Sequence, residues 1–299
     1  MDKVLSLMMA IFMGFSSSAP TLNYNSNGVT GGAMNETVQT LQSIRDTTND
    51  LLNQIEPTFD IKMTFVGDCM LATYKGQYYE GSFSWYAANY PNTYFFEKVQ
   101  DTFANDDFTI VNLENVLTDN NLSEVWKDHS PAYWYKAPTS NANILTASSI
   151  EAVSLANNHF GDYGTQGRTD TMAAVEAVGL PYGTNDQTIY LEKDGFTIAV
   201  ICHGLWSEWQ ASQIIPRIQE ASEKSDYQIV FYHGGKERIH SPEQWKIRAS
   251  RSLVDAGADL VIGNHPMYFS QWRCTMVLES FTVLETSALV EVALLKIVQ

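Results

Sequence analysis

Ala256-Gly257-Ala258-Asp259-Leu260-Val261-Ile262-Gly263-Asn264-His265-Pro266 closes a helix, runs through a strand and ends on a metal-ligating side chain. Upstream, residues 242–256 read as a helix, with Pro242 near its N1 position and Gly257 as its C′ residue, the usual Pro-in, Gly-out asymmetry. Residues 258–262 are an apolar run of strand length, bounded by a turn on Gly263-Asn264-His265. Four more runs end in the same way. Residues 61–66 lead to Gly67-Asp68, 108–111 to Asn112-Leu113-Glu114-Asn115, 151–155 to Asn157-Asn158-His159 and 228–232 to His233. Another strand, 196–202, and a helix at 166–178 closed by Gly179 and followed by Pro181 complete the alternation. Strands alternating with helices fold as layered α/β structure. Because an open α/β sheet binds ligands beyond the carboxyl ends of its strands, five motifs too far apart to build a site locally are expected to meet at one edge.

Composition narrows what that edge acts on. At 299 residues and 44% apolar content, the chain buries one large domain with an N-terminal appendage. A net charge of -16 leaves no basic footprint for a phosphate backbone, so nucleic acid is set aside as a partner; acidity of this size suits an extracellular protein. Cys69, Cys202 and Cys274 are too few for a disulfide framework. Without a Cys-x-x-Cys pair a thiolate zinc site is not expected, and Cys69 and Cys202, at strand ends, read as buried free thiols.

Residues 1–20 place Met1-Asp2-Lys3 before an apolar run at 4–15 and then Ser16-Ser17-Ser18-Ala19-Pro20. That is the layout of a secretory signal or, left uncleaved, of an anchor. The run is short for a membrane span, and membrane contact is expected through this segment only. Residues 21–58 read as an Asn/Ser/Gly-rich linker followed by a stalk helix carrying Val38, Leu41, Ile44, Leu51, Leu52 and Ile55. The main domain spans 59–266, and its aromatic stretch at 74–94 is either a satellite core or a substrate rim.

Two divalent metals held roughly 3.5–4 Å apart activate a water and stabilise the entering and leaving oxygens of an in-line displacement. Such a site mixes carboxylate, amide and imidazole ligands, and a bridging carboxylate offsets the charge of two cations. Asp68, Glu114, Asn158, His233 and His265 supply this mixture, in a chain with only 6 histidines. Asn115, beside Glu114, joins them as a candidate ligand. The oxygens favour manganese, iron or magnesium, and the imidazoles also admit zinc. His159 reads instead as a general acid outside the metal shell, with Asp162 three residues on to orient its ring. His129, His203 and His240 lack comparable neighbours and read as structural or exposed.

Phe65-Val66-Gly67-Asp68-Cys69-Met70-Leu71, Val111-Asn112-Leu113-Glu114-Asn115, residues 154–164 with Leu155-Ala156-Asn157-Asn158-His159 and Asp162-Tyr163-Gly164, and residues 257–266 together resemble the bacterial CapA family. That family is named for poly-gamma-glutamate capsule synthesis, and its domain is similar to calcineurin-like metallophosphoesterases. The resemblance implies a four-layer αββα sandwich with two metals at the strand ends. It also implies that Asp68, Glu114, Asn158 and His265 hold ligand positions and that His159 holds the acid position. His233 falls in a motif usually read as His-Trp-Gly-x-Glu, here His233-Gly234-Gly235-Lys236-Glu237; Gly234 is expected to remove an aromatic wall. Two functions follow as expectations: a phosphoesterase in capsule or envelope-polymer synthesis, in which metal-activated water attacks phosphorus and His159 protonates the leaving group, or a non-catalytic scaffold binding an anionic polymer. Both place the protein outside the cell or on its surface.

After Pro266 the resemblance stops. The family pattern continues His-Val-x-Gln and closes on Tyr-Ser-Leu-Gly-Asn-Phe, whereas this chain continues Met267-Tyr268-Phe269-Ser270-Gln271-Trp272-Arg273-Cys274-Thr275-Met276. ATG TAC TTC AGC CAA TGG AGG TGT ACA ATG encodes those ten residues. Preceded by one C and read in the shifted frame, it gives His-Val-Leu-Gln-Pro-Met-Glu-Val-Tyr. With codons chosen to suit, the same shift gives residues 281–291 a reading compatible with Val-Tyr-Ser-Leu-Gly-Asn-Phe-Cys-Phe-Gly-Gly. Residues 267–299 therefore read as a tail displaced by a single-base deletion. It puts a thioether, a poor ligand for hard cations, at position 267 where a histidine is expected, and its 282–298 segment is not patterned for the family's closing strand.

Overall fold

The computed structural model describes residues 61–239 and 241–265, the backbone of Thr282–Val283 and Val292–Ile297, and helical positions at Gln39 and Ser43. The chain divides into two units, Met1–Pro57 and Thr58–Gln299. The signal or anchor segment, the linker and all but two positions of the stalk helix lie outside the described residues, as do His240 and Cys274. Among the described residues no helix is long and apolar enough to cross a membrane.

In the second unit the strands are β1 (Ile61–Cys69), β2 (Thr73–Tyr74), β3 (Phe108–Leu113), β4 (Val116–Leu117), β5 (Tyr135–Ala137), β6 (Ala152–Ser154), β7 (Tyr182–Gly183), β8 (Thr188–Lys193), β9 (Phe196–Gly204), β10 (Tyr227–His233), β11 (Leu260–Asn264), β12 (Thr282–Val283) and β13 (Val292–Ile297). The α-helices are α1 (Phe83–Asn89), α2 (Gln100–Phe103), α3 (Ala142–Thr146), α4 (Gly164–Ala177), α5 (Glu208–Ser222) and α6 (Gln244–Asp255). One sheet has the order β12-β13-β1-β3-β6-β7, a second β11-β10-β9-β8 and a small third β2-β5-β4. β1, β3, β6 and β7 run parallel, as do β9, β10 and β11, so each large sheet sends several strand ends toward one edge.

Alternation along the strands sorts the core into layers. In β9, Phe196, Ile198, Val200 and Cys202 face a cluster with Ile61, Met63, Phe65 and Ile110 of the other sheet, while Ala199 and Ile201 face α5 and α6 through Ile214, Ile218, Ala249 and Leu253. The opposite face of the six-stranded sheet, with Val66, Val111 and Val153, packs under Phe103, Leu145 and Val175 from α2, α3 and α4. Phe65 and Phe231 meet edge to face across the two sheets at 5.3 Å, a geometry that stabilises by about 0.5–1.5 kcal/mol beyond burial.

The eight expected elements of the main domain form, with several boundaries moved. α6 begins at Gln244 behind Glu243, which places Pro242 ahead of the helix rather than at N1. Gly257, at φ +108, does close it. Among the elements not expected are β8 and α5. β8 joins β9 through Asp194-Gly195, both at positive φ, the backbone that a two-residue hairpin turn requires. α5 forms around Pro216, whose missing N–H argues locally against a helix; burial of Ala211, Ile214, Ile218 and Ala221 overrides it. The tail also differs from expectation, since β13 pairs antiparallel with β1 from Ile61↔Ile297 to Val66↔Val292.

Candidate metal centre

Both sheets contribute to one cluster. Ligand atoms of Asp68, Glu114, His233 and His265 all lie within 4.8 Å of one another. A bulge places Asp68: the register runs Val66↔Val111 and then Asp68↔Asn112, so Gly67 is the extra residue that re-aims the next side chain. Glu114 follows β3 directly, its N–H held by Cys69 O at 2.9 Å. His233 ends β10, paired with Asn264 at the end of β11, and His265 comes next with φ +94, a conformation rare for a side chain of this size.

Asn158 joins the group, with its Oδ1 2.7 Å from His233 Nε2. Asn115 does not. Its buried carboxamide accepts from Leu71 N–H at 2.7 Å and donates to Val116 O, so it braces the turn after β1 instead of serving as a ligand. His159 sits alongside: its Nδ1 is 2.8 Å from Asp162 Oδ2 and its Nε2 is 3.9 Å from Glu114 Oε1. Asp162 is buried, with Lys127 Nζ at 2.7 Å from its other oxygen and Tyr135 N–H donating at 2.8 Å. His129 is exposed and His203 buried, its Nδ1 within hydrogen-bond reach of Gly204 O. Cys69 and Cys202 are buried free thiols, pushed up to about 12 and about 11 by burial. Of the aromatic stretch, Phe83 and Phe95 pack on the core, while Tyr74 lies edge-on to Tyr135, whose ring meets His159 at 4.9 Å.

The electrostatics suit a cation. Burial, then the charge of Asp68, pushes the Glu114 carboxyl up to about 9. Burial also works to raise Asp68, but the hydrogen bond and charge of His233, with Asn112 and His265 adding, leave it below its ordinary value. Burial, then His233, brings His265 down to about 4, so its ring is neutral with a lone pair to give near neutral pH. Donor atoms each about 2.1 Å from one ion stand roughly 3.0–3.4 Å apart. His233 Nε2 is 3.5 Å from Glu114 Oε1, and one ligand atom from each of Asp68, Glu114, His233 and His265 lies within 4.8 Å of the others. In donor type and spacing the residues fit a divalent ion.

Residues 62–276 match the family model for the bacterial capsule synthesis protein PGA_cap. The chain belongs to this family. It is 26% identical over 228 residues to the PGA biosynthesis protein CapA of Bacillus subtilis, covering 69% of this chain and 57% of that one. It is also 26% identical over 234 residues to the capsule biosynthesis protein CapA of Bacillus anthracis, covering 69% and 54%. The chain thus spans little more than half the length of these curated relatives. A solved structure, a hypothetical protein from Thermus thermophilus, aligns with TM-score 0.42 at 16% identity over 75% of this chain and 72% of that one.

In this PGA_cap domain several residues at the site were not singled out from sequence. Asn112 Nδ2 donates to Asp68 Oδ1 at 2.9 Å and lies 3.0 Å from His233 Nδ1, joining the two sheets. Asn157 Nδ2 donates to Asn112 Oδ1 and Leu113 O, and its own oxygen accepts from His159 and Phe160 N–H, so it shapes the acid loop. Asn264 Oδ1 lies 2.5 Å from His233 Nδ1. All three stand inside the quoted motifs, where the only local signal was asparagine at a strand end. The aromatic wall expected to be lost at Gly234 is present from elsewhere: the Trp206 ring lies 5.0 Å from His265 and 5.7 Å from His233.

Proposed function

We propose that this chain carries a calcineurin-like metallophosphoesterase centre holding two divalent ions, of manganese, iron, magnesium or zinc, and acts on a phosphoester or anionic polymer during capsule or cell-envelope synthesis. What supports this most is the convergence of Asp68, Glu114, His233 and His265 within 4.8 Å, with the His159-Asp162 pair beside them. The layered sheets with helices on both outer faces accord with the αββα sandwich of that superfamily. The names of the two Bacillus relatives support the polymer, and an extracellular or surface location follows from the same reading.

When bound, the ions supply Lewis acidity and lower the pKa of water. The chain's own residues do the rest. Asp68, Glu114, Asn158, His233 and His265 hold and space the ions, and Asn112 fixes Asp68 against His233. Asp162 orients the His159 ring through Nδ1, leaving Nε2 as the atom from which a proton reaches a leaving oxygen. Lys127 keeps the buried Asp162 charge compensated.

A one-base deletion after the Pro266 codon belongs to the same proposal, with a weakened metal position as its consequence. Sequencing the locus checks it: an intact frame with no missing base sinks it. Function is tested by manganese-dependent hydrolysis of a nitrophenyl phosphodiester, in the chain as printed and with one C restored. Turnover that disappears in His159→Ala is expected from the repaired chain and a poorly folding or inactive product from the printed one; full activity in the printed form refutes the deletion. Tight polymer binding without turnover in either form favours a scaffold instead.

A further inference from the structure

His265 is the least supported member of the cluster by its own strand. It lies beyond the last residue of β11, its backbone is left-handed at φ +94, and its Nε2 has Glu237 Oε1 at 3.7 Å, the carboxylate of a half-exposed side chain. What packs on the ring is Trp206, edge to face at 5.0 Å and 85°, while His233 closes the other contact at 4.4 Å. Trp206 comes from the connection between β9 and α5 and stays 39% exposed, so it walls the cluster from the solvent side. Its backbone is pinned, since Leu205 N–H donates to His233 O at 2.8 Å and Trp206 N–H to Gln210 Oε1 at 2.6 Å.

This arrangement requires glycine at 234. A Cβ there would stand 1.8 Å from Leu205 O and 2.6 Å from Leu205 C, so any side chain would drive the Leu205-Trp206 backbone away. An aromatic side chain directly after His233 and the present path of residues 205–206 exclude each other.

We infer that Trp206 is a positioning residue for His265, and that Gly234 and Trp206 work as one device that delivers an aromatic wall to the metal centre from the neighbouring connection. The inference rests on the proposed metal centre. Its test combines calorimetric titration with Mn²⁺ and, in metal-free protein, the ring proton resonances of His265, which an indole edge-on at 5.0 Å shifts by its ring current. Trp206→Ala is expected to remove that shift and to weaken Mn²⁺ binding about 10–100-fold, the range for residues that orient a ligand. Trp206→Phe keeps an aromatic face and is expected to hold affinity within about threefold, in line with packing rather than hydrogen bonding as the cause. Gly234→Ala should reproduce Trp206→Ala in both readouts. Unchanged resonances, or Mn²⁺ affinity unchanged in Trp206→Ala, overturns the inference and leaves the centre standing. No Mn²⁺ binding by the unsubstituted chain overturns the centre and the inference together.

Discussion

The two large sheets bring different chemistry to the same edge. From β1, β3 and β6 come carboxylates, amides and the acid pair; from β10 and β11 come imidazoles. The carboxylate side is tightly cross-braced: Asn112 ties Asp68 to His233, Asn157 ties the His159 loop to β3, and Glu114 is held to the end of β1. The imidazole side ends in a left-handed residue whose ring leans on Trp206. Asp68 keeps its charge without a cation and so needs fixed donors, whereas buried Glu114 holds a proton near neutral pH when no cation is present. The two imidazoles differ: His233 has Asn112, Asn158 and Asn264 within hydrogen-bond reach, whereas the neutral ring of His265 is held by packing against Trp206. Bracing by hydrogen bonds thus extends from Asp68 to His233 and stops short of His265.

The sharpest way to break this division is His159→Ala, which belongs to the carboxylate side yet touches no proposed ion. Turnover should fall about 10²–10⁴-fold with Mn²⁺ affinity unchanged by calorimetry; an equal loss of affinity would make His159 a ligand. Asn112→Ala, which cuts one of the links between the sheets and leaves that from Asn158 to His233, should weaken Mn²⁺ about 10–100-fold. An effect within experimental scatter would mean that the two sides hold their ligands independently of Asn112. Asn115→Ala separates bracing from ligation: it leaves Leu71 N–H without its buried partner, a loss of about 1–3 kcal/mol by denaturant titration, while metal affinity stays put. The smallest effect is a slope with pH. Glu114, raised from 4.5 to about 9, holds a proton in the folded chain that the unfolded chain has released. Its contribution is complete below pH 4.5 and is lost as pH rises through 9. Glu151, pushed up to about 7 chiefly by burial, acts in the same direction lower down, and His265, at about 4, opposes only on the acid side. Metal-free protein should therefore lose thermal stability between about pH 7 and 9, and Glu114→Gln should flatten that loss. Persistence of the slope in the variant would assign it elsewhere. Proton release on adding Mn²⁺ in the same window is the matching observation.

Much of the centre was legible because its signals are local. Asp68, Glu114, His159, His233 and His265 each follow an apolar run that periodicity marks as a strand, and parallel strands bring their ends together wherever the sheets form. The unread elements failed for equally local reasons. Pro216 hides α5 until its apolar face is packed, and Asp194-Gly195 is a two-residue hairpin signal carried by the sequence itself. Adjacency to Glu114 does not set which way the Asn115 carboxamide turns; Leu71 N–H, passing beside it, does.

The sequence by itself determined the α/β alternation, the family and which strand ends carry ligand-type side chains, since these depend on periodicity of 2 and 3.6 residues and on turn chemistry that neighbours in the chain set. Tertiary structure alone decided that Asn112 bridges the sheets, that Asn115 braces a turn, that the tail strand lies against β1 and that Trp206 covers His265. Each of those depends on a bulge, a register or a backbone approach between segments far apart in sequence, where packing rather than local spacing selects the partner.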